Sequence, residues 1–305
     1  MKRIVITGAT GMIGANLAKY ASAQGCEVLC IIRPDSPKED NIPKNDKIHI
    51  QYAPLSDYEN ITVNKEYDTF YHFAWEKTFG ASRDDVDSQL QNIKYTLDAV
   101  RLAKRLGCKA FIGAGSQAEY GIVDTDLRPD TPVNPLSGYG IAKYTSGKLS
   151  QLLCSQLGIR HNWVRILSVY GALDNPYTLI MYTINALLKG QPTVFSPCQQ
   201  IWDYIHEIDA AKAFFAIGEK GLDQKIYPLG SGQGRPLYDY LEQIKELVSP
   251  HASLGFGQKD YYPNQPMHLC ADLSELTADT GWKPQISFTE GIKQVLSQLA
   301  THSIK

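Results

Sequence analysis

The feature that most constrains this chain is the stretch from Val5 to Ala18, VITGATGMIGANLA. A β-branched run, Ile4-Val5-Ile6, leads straight into glycines at Gly8, Gly11 and Gly14, and Met12, Ile13, Leu17 and Ala18 then recur at helical spacing. This reads as strand, glycine turn, helix. The turn needs residues without Cβ so that the backbone can bend tightly, approach a pyrophosphate and seat the helix against the strand. The helix N-terminus adds free N–H groups and a positive dipole end. The spacing and the preceding strand therefore predict a dinucleotide site and, around it, a parallel α/β architecture.

The 305 residues suffice for one large α/β domain, or for a cofactor domain with a smaller substrate-binding part. With a net charge of −2, no basic footprint argues for nucleic acid or an anionic membrane surface. No apolar run reaches bilayer-spanning length, and Met1-Lys2-Arg3 runs directly into the first strand, so a cytoplasmic location without a signal peptide is expected. The six cysteines fall mostly inside apolar patterns and read as reduced core thiols, and neither they nor the seven histidines show metal-ligand spacing.

A second strand runs from Glu27 to Ile32 and ends in Arg33-Pro34-Asp35-Ser36. The residue at this strand end faces the adenosine ribose, where an acid would take the 2′-hydroxyl and an arginine a 2′-phosphate. Arg33 points to NADP, with NAD still possible through Asp35. A loop over 34–46 is followed by strands at Lys47–Tyr52 and Asp68–Ala74, a helix over Asp85–Leu106 with apolar positions Leu90, Ile93, Leu97, Val100 and Leu102, and a strand at Lys109–Gly113. The alternation predicts a doubly wound parallel sheet.

The chemistry-bearing stretch follows. An irregular loop with Pro132, Pro135 and Gly138 leads to Tyr139-Gly140-Ile141-Ala142-Lys143, after which Tyr144–Leu157 reads as a helix. Tyr139 and Lys143, four apart, share one helix face. An ammonium beside the phenol would lower the tyrosine pKa toward neutrality and let it move a proton. Ser116 stands at the carboxyl end of a neighbouring strand, where open α/β sheets bind ligands.

With these residues in view the chain resembles the extended short-chain dehydrogenases/reductases, the NAD(P)-dependent epimerase/dehydratase family acting on nucleotide sugars. The matching segments are TGATGMIG (Thr7–Gly14), HFA (His72–Ala74), Asn92, GSQAEYG (Gly115–Gly121) and TPVNPLSGYGIAK (Thr131–Lys143). They continue with Arg165, VYG (Val169–Gly171), WDYIHEID (Trp202–Asp209), YPLGSG (Tyr227–Gly232) and GWKP (Gly281–Pro284). The resemblance implies a Rossmann domain over 1–170, to which 200–232 returns, with a smaller interleaved substrate region in 171–199 and 233–305. It implies a trio in which Tyr139 is general acid/base, Ser116 holds the reacting oxygen and Lys143 also holds the nicotinamide ribose. By the same resemblance the cofactor would meet Thr7, Gly8, Thr10, Gly11, Met12, Ile13, Gly14, Arg33, Leu55, Phe73, Ala74, Trp75, Asn92, Leu167 and Val169. The nucleotide sugar would meet Trp75, Ser116, Gln117, Ala118, Ser168, Lys189, Trp202, Arg235 and Tyr262, and the protein would form a homodimer.

Two departures bear on function. Dehydratases of this family carry an Asp-Glu pair after the serine or threonine, where elimination of water needs an acid and a base; here Gln117 and Ala118 stand there, and Glu119, one residue further, reads as structural. Two arginines that commonly reach the substrate pyrophosphate are replaced by Trp202 and by Tyr262 of Tyr262-Pro263-Asn264-Gln265. Lys189 or Arg235 could supply the missing charge, and Trp202 could stack on the ligand or fill a core. The expectation is an NADPH-dependent reductase of a keto group, at C4, on a nucleotide-linked deoxysugar. The alternatives are a nucleotide-sugar 4-epimerase with retained NAD and, from another class, a cofactor-binding regulatory protein without turnover.

Overall fold

A computed structural model describes residues 1–302. The run Ile4-Val5-Ile6 has no exposed surface and forms the middle of β1 (Arg3–Thr7), as a strand covered on both faces should. The chain continues through α1 (Met12–Ala23), β2 (Glu27–Ile32), β3 (Ile48–Tyr52), β4 (Thr69–His72), α2 (Val86–Arg105) and β5 (Ala110–Ser116). Then come α3 (Gly138–Leu157), β6 (Arg160–Ile166), β7 (Ser168–Tyr170), α4 (Leu179–Leu188), β8 (Ile201–Trp202), β9 (Tyr204–His206), α5 (Glu207–Lys220) and β10 (Lys225–Leu229). The last elements are β11 (Arg235–Pro236), α6 (Leu237–Val248), α7 (Ser274–Thr280) and α8 (Phe288–His302).

Seven strands form one parallel sheet in the order β10-β6-β5-β4-β1-β2-β3. The strand order turns back at β1: β2 and β3 lie on one side of it, and β4 and the later strands on the other. Such a reversal opens a crevice at the carboxyl ends of the strands, between β1 and β4. One sheet face packs on α1 and α5 through Leu17, Ala18, Ala21, Phe214 and Ile217; the other packs on α2 and α3 through Val100, Leu102, Leu106 and Cys154. A third core, from Ile180, Ile184, Tyr240, Leu241, Ile244 and Ile292, joins α4, α6 and α8 beside the sheet. Two short pairs, β7 with β9 in parallel and β8 with β11 antiparallel, connect it to the strand ends. All six cysteines are free and buried, and no helix among the described residues is long and apolar enough to cross a membrane.

Three local expectations shift. The helix bearing Tyr139 and Lys143 begins at Gly138 rather than Tyr144, because the Ser137 hydroxyl accepts from the Gly140 N–H at 3.1 Å and caps it there. Strand β5 runs on to Ser116, beyond the expected end at Gly113. In α2 the apolar stripe is not the buried one throughout: Leu90 is 60% exposed, while Gln89, Asn92 and Thr96 point inward. Those polar groups are buried because they have work beneath the crevice.

Candidate active site

The turn after β1 is shaped by contacts that leave no room for side chains. Gly8 has a φ of +68°, and a Cβ on it would stand 2.7 Å from the Ala74 nitrogen; a Cβ on Gly14 would stand 2.5 Å from the Gly8 carbonyl oxygen. The first glycine lets the backbone bend and pass over β4, and the third seats α1 against the turn. Helix α1 starts at Gly11 with no side-chain cap and no acidic residue in its first turn, so its positive end stays open to an anion. These residues fit a dinucleotide pyrophosphate. The loop after β2 reaches back to the same turn, with Asn41 Nδ2 donating to the Thr10 carbonyl at 2.9 Å and Ser36 Oγ donating to Thr10 Oγ1 at 3.5 Å. Arg33 follows the last residue of β2 and is exposed. Leu55 instead packs against the apolar core on the α2 side of the sheet.

The polar residues of α2 hold the segment after β4. Asn92 accepts from the Glu76 N–H and donates to the Glu76 carbonyl, both at 3.0 Å, and Gln89 accepts from Trp75 Nε1 at 3.1 Å and donates to the Lys77 carbonyl at 3.1 Å. Asn92 therefore acts through the loop backbone that follows Phe73, Ala74 and Trp75. His72 is fixed by Thr7 Oγ1 at 2.8 Å, and its complete burial drives its pKa down to about 3, so it stays neutral.

Ser116, Tyr139 and Lys143 converge at the end of β5. The Ser116 side chain lies close enough to the Tyr139 hydroxyl to favour its ionisation, and Ser116 Oγ accepts from the Ala118 N–H at 3.2 Å. Burial raises the Tyr139 pKa; the nearby Ser116 hydroxyl and the positive charge of Arg83 work against that rise. The lysine does not stand beside the phenol as expected. Its Nζ donates to the Ala114 carbonyl at 2.8 Å, lies 3.6 Å over the centre of the Trp75 ring and 5.7 Å from that of Tyr139. Burial brings the Lys143 pKa down to about 7. The cation closest over the Tyr139 ring is Arg83, at 4.5 Å from its centre, in the 3-10 turn Gly80–Asp84.

A cavity of about 960 Å³ opens past the end of β6, whose Ile166 pairs with Ser116; none of the trio belongs to its lining. Ile13, Leu167, Ser168 and Val169 line its cofactor side, and Trp202, Tyr204, Tyr177, Tyr182, Tyr261 and Tyr262 make it aromatic. Trp202 faces the cavity, held by its Nε1 donating to Ser168 Oγ at 2.8 Å. Neither proposed replacement cation lines it. Lys189 is exposed at the C-terminus of α4, where that helix turns away. Arg235 pairs with Trp202 in the β8–β11 ladder but carries its guanidinium over Tyr240 at 3.9 Å and donates to Gln243 at 2.6 Å. Among the described lining residues the cation is Lys259, close to Tyr262; the Lys-Asp-Tyr-Tyr run beside the missing arginine was the signal for it. Gln117 and Ala118 form the 3-10 turn after Ser116 and do not line this cavity.

Several motif residues are spent on framework. Glu119 is wholly buried, accepting from Ser116 N and Arg165 Nε at 2.8 Å and from Trp163 Nε1 at 2.9 Å. Removing one partner of such a pair would strand a buried charge. Asp203 gathers the N–H groups of Ser231, Gly232 and Ala271, and Asp209 those of Gln285 and Ile286. Glu207, at the start of α5, accepts from Ala172 N at 3.2 Å and Leu173 N at 3.4 Å; burial lifts its pKa to about 7.

Comparison with known proteins agrees with this geometry. Over 310 residues the chain is 22% identical to the dTDP-4-dehydro-6-deoxyglucose reductase of Escherichia coli, covering 97% of each chain. It is similar in structure to the UDP-glucose 4-epimerase of Thermotoga maritima solved with UDP-glucose, at a TM-score of 0.87 and 22% identity over 99% of each chain. It is similar too to the UDP-glucuronic acid 4-epimerase of Bacillus cereus solved with UDP-glucuronic acid and NAD, at a TM-score of 0.86 and 21% identity over 98% of this chain and 99% of that one. Residues 4–230, from β1 through β10 to the Ser231 loop, match the NAD dependent epimerase/dehydratase family, and the chain belongs to that family.

Proposed function

We propose that the protein is an oxidoreductase that reduces a keto group, at C4, of a nucleotide-linked deoxysugar with NADPH. The observation that carries this reading is the convergence of Ser116, Tyr139 and Lys143 at the end of β5, one strand from a cavity of nucleotide-sugar size that Ile166 lines, with no carboxylate at Gln117 or Ala118 for elimination. When bound, the nicotinamide supplies the hydride. Tyr139 gives its hydroxyl proton to the substrate oxygen as negative charge develops there, and Ser116, close to that hydroxyl, holds the reacting oxygen. Lys143 would hold the nicotinamide ribose and Arg33 the 2′-phosphate of the bound cofactor. Trp202 and Tyr262 offer ring faces to the nucleotide or sugar, and Lys259 the charge for the diphosphate.

A 4-epimerase with retained NAD is the second reading. It is favoured by the similarity to two solved 4-epimerases, and it would use the same three side chains. Incubation with NADPH and a panel of nucleotide keto-sugars, following absorbance and product mass, tests the first reading, and incubation of 4-hydroxy nucleotide sugars with NAD, separating epimers by chromatography, tests the second. Stoichiometric loss of NADPH with a product two hydrogens heavier supports the reductase. Isomerisation without net cofactor consumption supports the epimerase, and no turnover of any nucleotide sugar overturns both. A homodimer belongs to this proposal, with Val86, Leu90, Leu149 and Leu152 exposed on α2 and α3; a monomer in sedimentation analysis overturns that part.

A further inference from the structure

Arg83 has no place in the chemistry described so far. The turn that carries it is pinned to the start of α3: Asp84 Oδ1 accepts from the Gly138 N–H at 2.7 Å, and a Cβ on Gly138 would stand 3.2 Å from the Arg83 carbonyl oxygen. The guanidinium lies 4.5 Å over the Tyr139 ring, and its Nε is buried without a hydrogen-bond partner. An arginine kept for framework alone would spend that donor on a carbonyl or carboxylate. The neighbouring carboxylate, Asp84, is spent on Gly138 instead.

We propose that Arg83 is a positioning residue for Tyr139: its guanidinium, stacked on the ring, holds the phenol in place and supplies the positive charge that stabilises its phenolate. The other groups facing Tyr139 leave this role open. Ser116, at the end of β5, offers a hydrogen bond but no charge; Glu119, in the turn after it, opposes the phenolate; Trp75, from the loop after β4, meets the ring edge-on at 6.0 Å. Lys143, on α3 itself, is turned to the Ala114 carbonyl and the Trp75 face. A cation near a phenol favours its charged form, and one held over the ring is attracted to the π face as well.

The inference rests on the proposed function only for the proton that Tyr139 moves, so its test begins without substrate. The titration of Tyr139 is read as the tyrosinate absorbance of each protein minus that of the same protein carrying Tyr139→Phe. Arg83→Met is expected to move this titration up by about one pH unit or more, and Arg83→Lys, which keeps a cation, by less than half as much. If Arg83→Met does not fold, Arg83→Gln makes the same comparison. In the direction that oxidises a sugar hydroxyl, the acid limb of the kcat profile should move by the same amount, lowering kcat at pH 7 about tenfold with KM within about twofold. A titration unmoved in the uncharged variant, or moved equally by the lysine, overturns the role of Arg83. Absence of sugar turnover with a shifted titration overturns the proposed function and leaves this inference standing.

Discussion

The Trp202 indole donates its Nε1 proton to the Ser168 hydroxyl at 2.8 Å, and the ring so held both lines the cavity and packs against the neighbouring apolar cores. Both residues lie in short strands at the edge of the sheet, so the bond sets the cleft wall. Trp202→Ala is expected to raise KM for a nucleotide-sugar substrate about tenfold with a smaller change in kcat, because the ring binds remote from the reacting carbon. Steady-state kinetics checks this. Should Trp202→Ala leave KM unchanged while Trp202→Arg tightens nucleotide-diphosphate binding severalfold, the indole is only packing.

Charge at the same cleft gives a second prediction. Lys259 lines the cavity, whereas Lys189 is exposed outside it. Lys259→Ala should weaken a nucleoside diphosphate by about tenfold and flatten the salt dependence of its binding, while Lys189→Ala does neither. Calorimetric titration at low and high salt decides, and equal losses in the two variants would argue against Lys259.

The proton donor is tested by removing one oxygen. Tyr139→Phe should lower kcat by roughly a hundredfold or more with cofactor affinity nearly intact, and Lys143→Met should damage both. A Tyr139→Phe enzyme that kept more than about a third of wild-type kcat would refute the acid/base role.

Cofactor choice should follow Arg33, which is exposed just past β2. NADPH is expected to bind at least about tenfold tighter than NADH, and Arg33→Ala to narrow the gap by weakening NADPH. Equal affinities in the wild-type protein would favour the epimerase with retained NAD.

Glu207 predicts a pH-dependent change in stability. Its folded pKa of about 7 exceeds the ordinary 4.5, so between those values the folded protein holds a proton that the unfolded chain has released. This group therefore costs stability increasingly as pH rises from 4.5 to 7, and by a constant amount above. Glu207→Gln, which keeps the closer acceptor, for the Ala172 N–H, and gives up the long bond from Leu173 N–H at 3.4 Å, should gain about 2 kcal/mol on wild type between pH 4.5 and pH 8. Urea unfolding at the two pH values measures the difference, and a variant that gains nothing on wild type between them would contradict the assignment.

What could be read in the sequence was what local geometry dictates. Gly8 and Gly14 announce the turn because no other residue tolerates those approaches, and Tyr139 and Lys143 share a face because a helix has 3.6 residues per turn. That the sheet is parallel and doubly wound followed from alternation and hydrophobic runs; its strand order did not. Other features depended on contacts between distant segments. That Trp202 packs on apolar cores and also lines the cleft, its Nε1 held by Ser168 thirty-four positions away, is one of these. Arg83 reaches Tyr139 along a path fixed by Asn92, Gln89 and Asp84, none of which carries a spacing signal. Lys143 lies away from the phenol because the Ala114 carbonyl and the Trp75 ring compete for it, a choice invisible in a four-residue interval.

The close fit of Gly14 against Gly8, and of Gly8 against Ala74, also governs how a cofactor-free control can be made. A side chain at either glycine would press helix α1 away from the sheet on which its inner face depends, so substitution there would confound lost binding with a loosened protein. Arg33, whose side chain is exposed, is the sound place to weaken occupancy while the scaffold keeps its shape, and a parallel melting curve should show the two kinds of variant diverging.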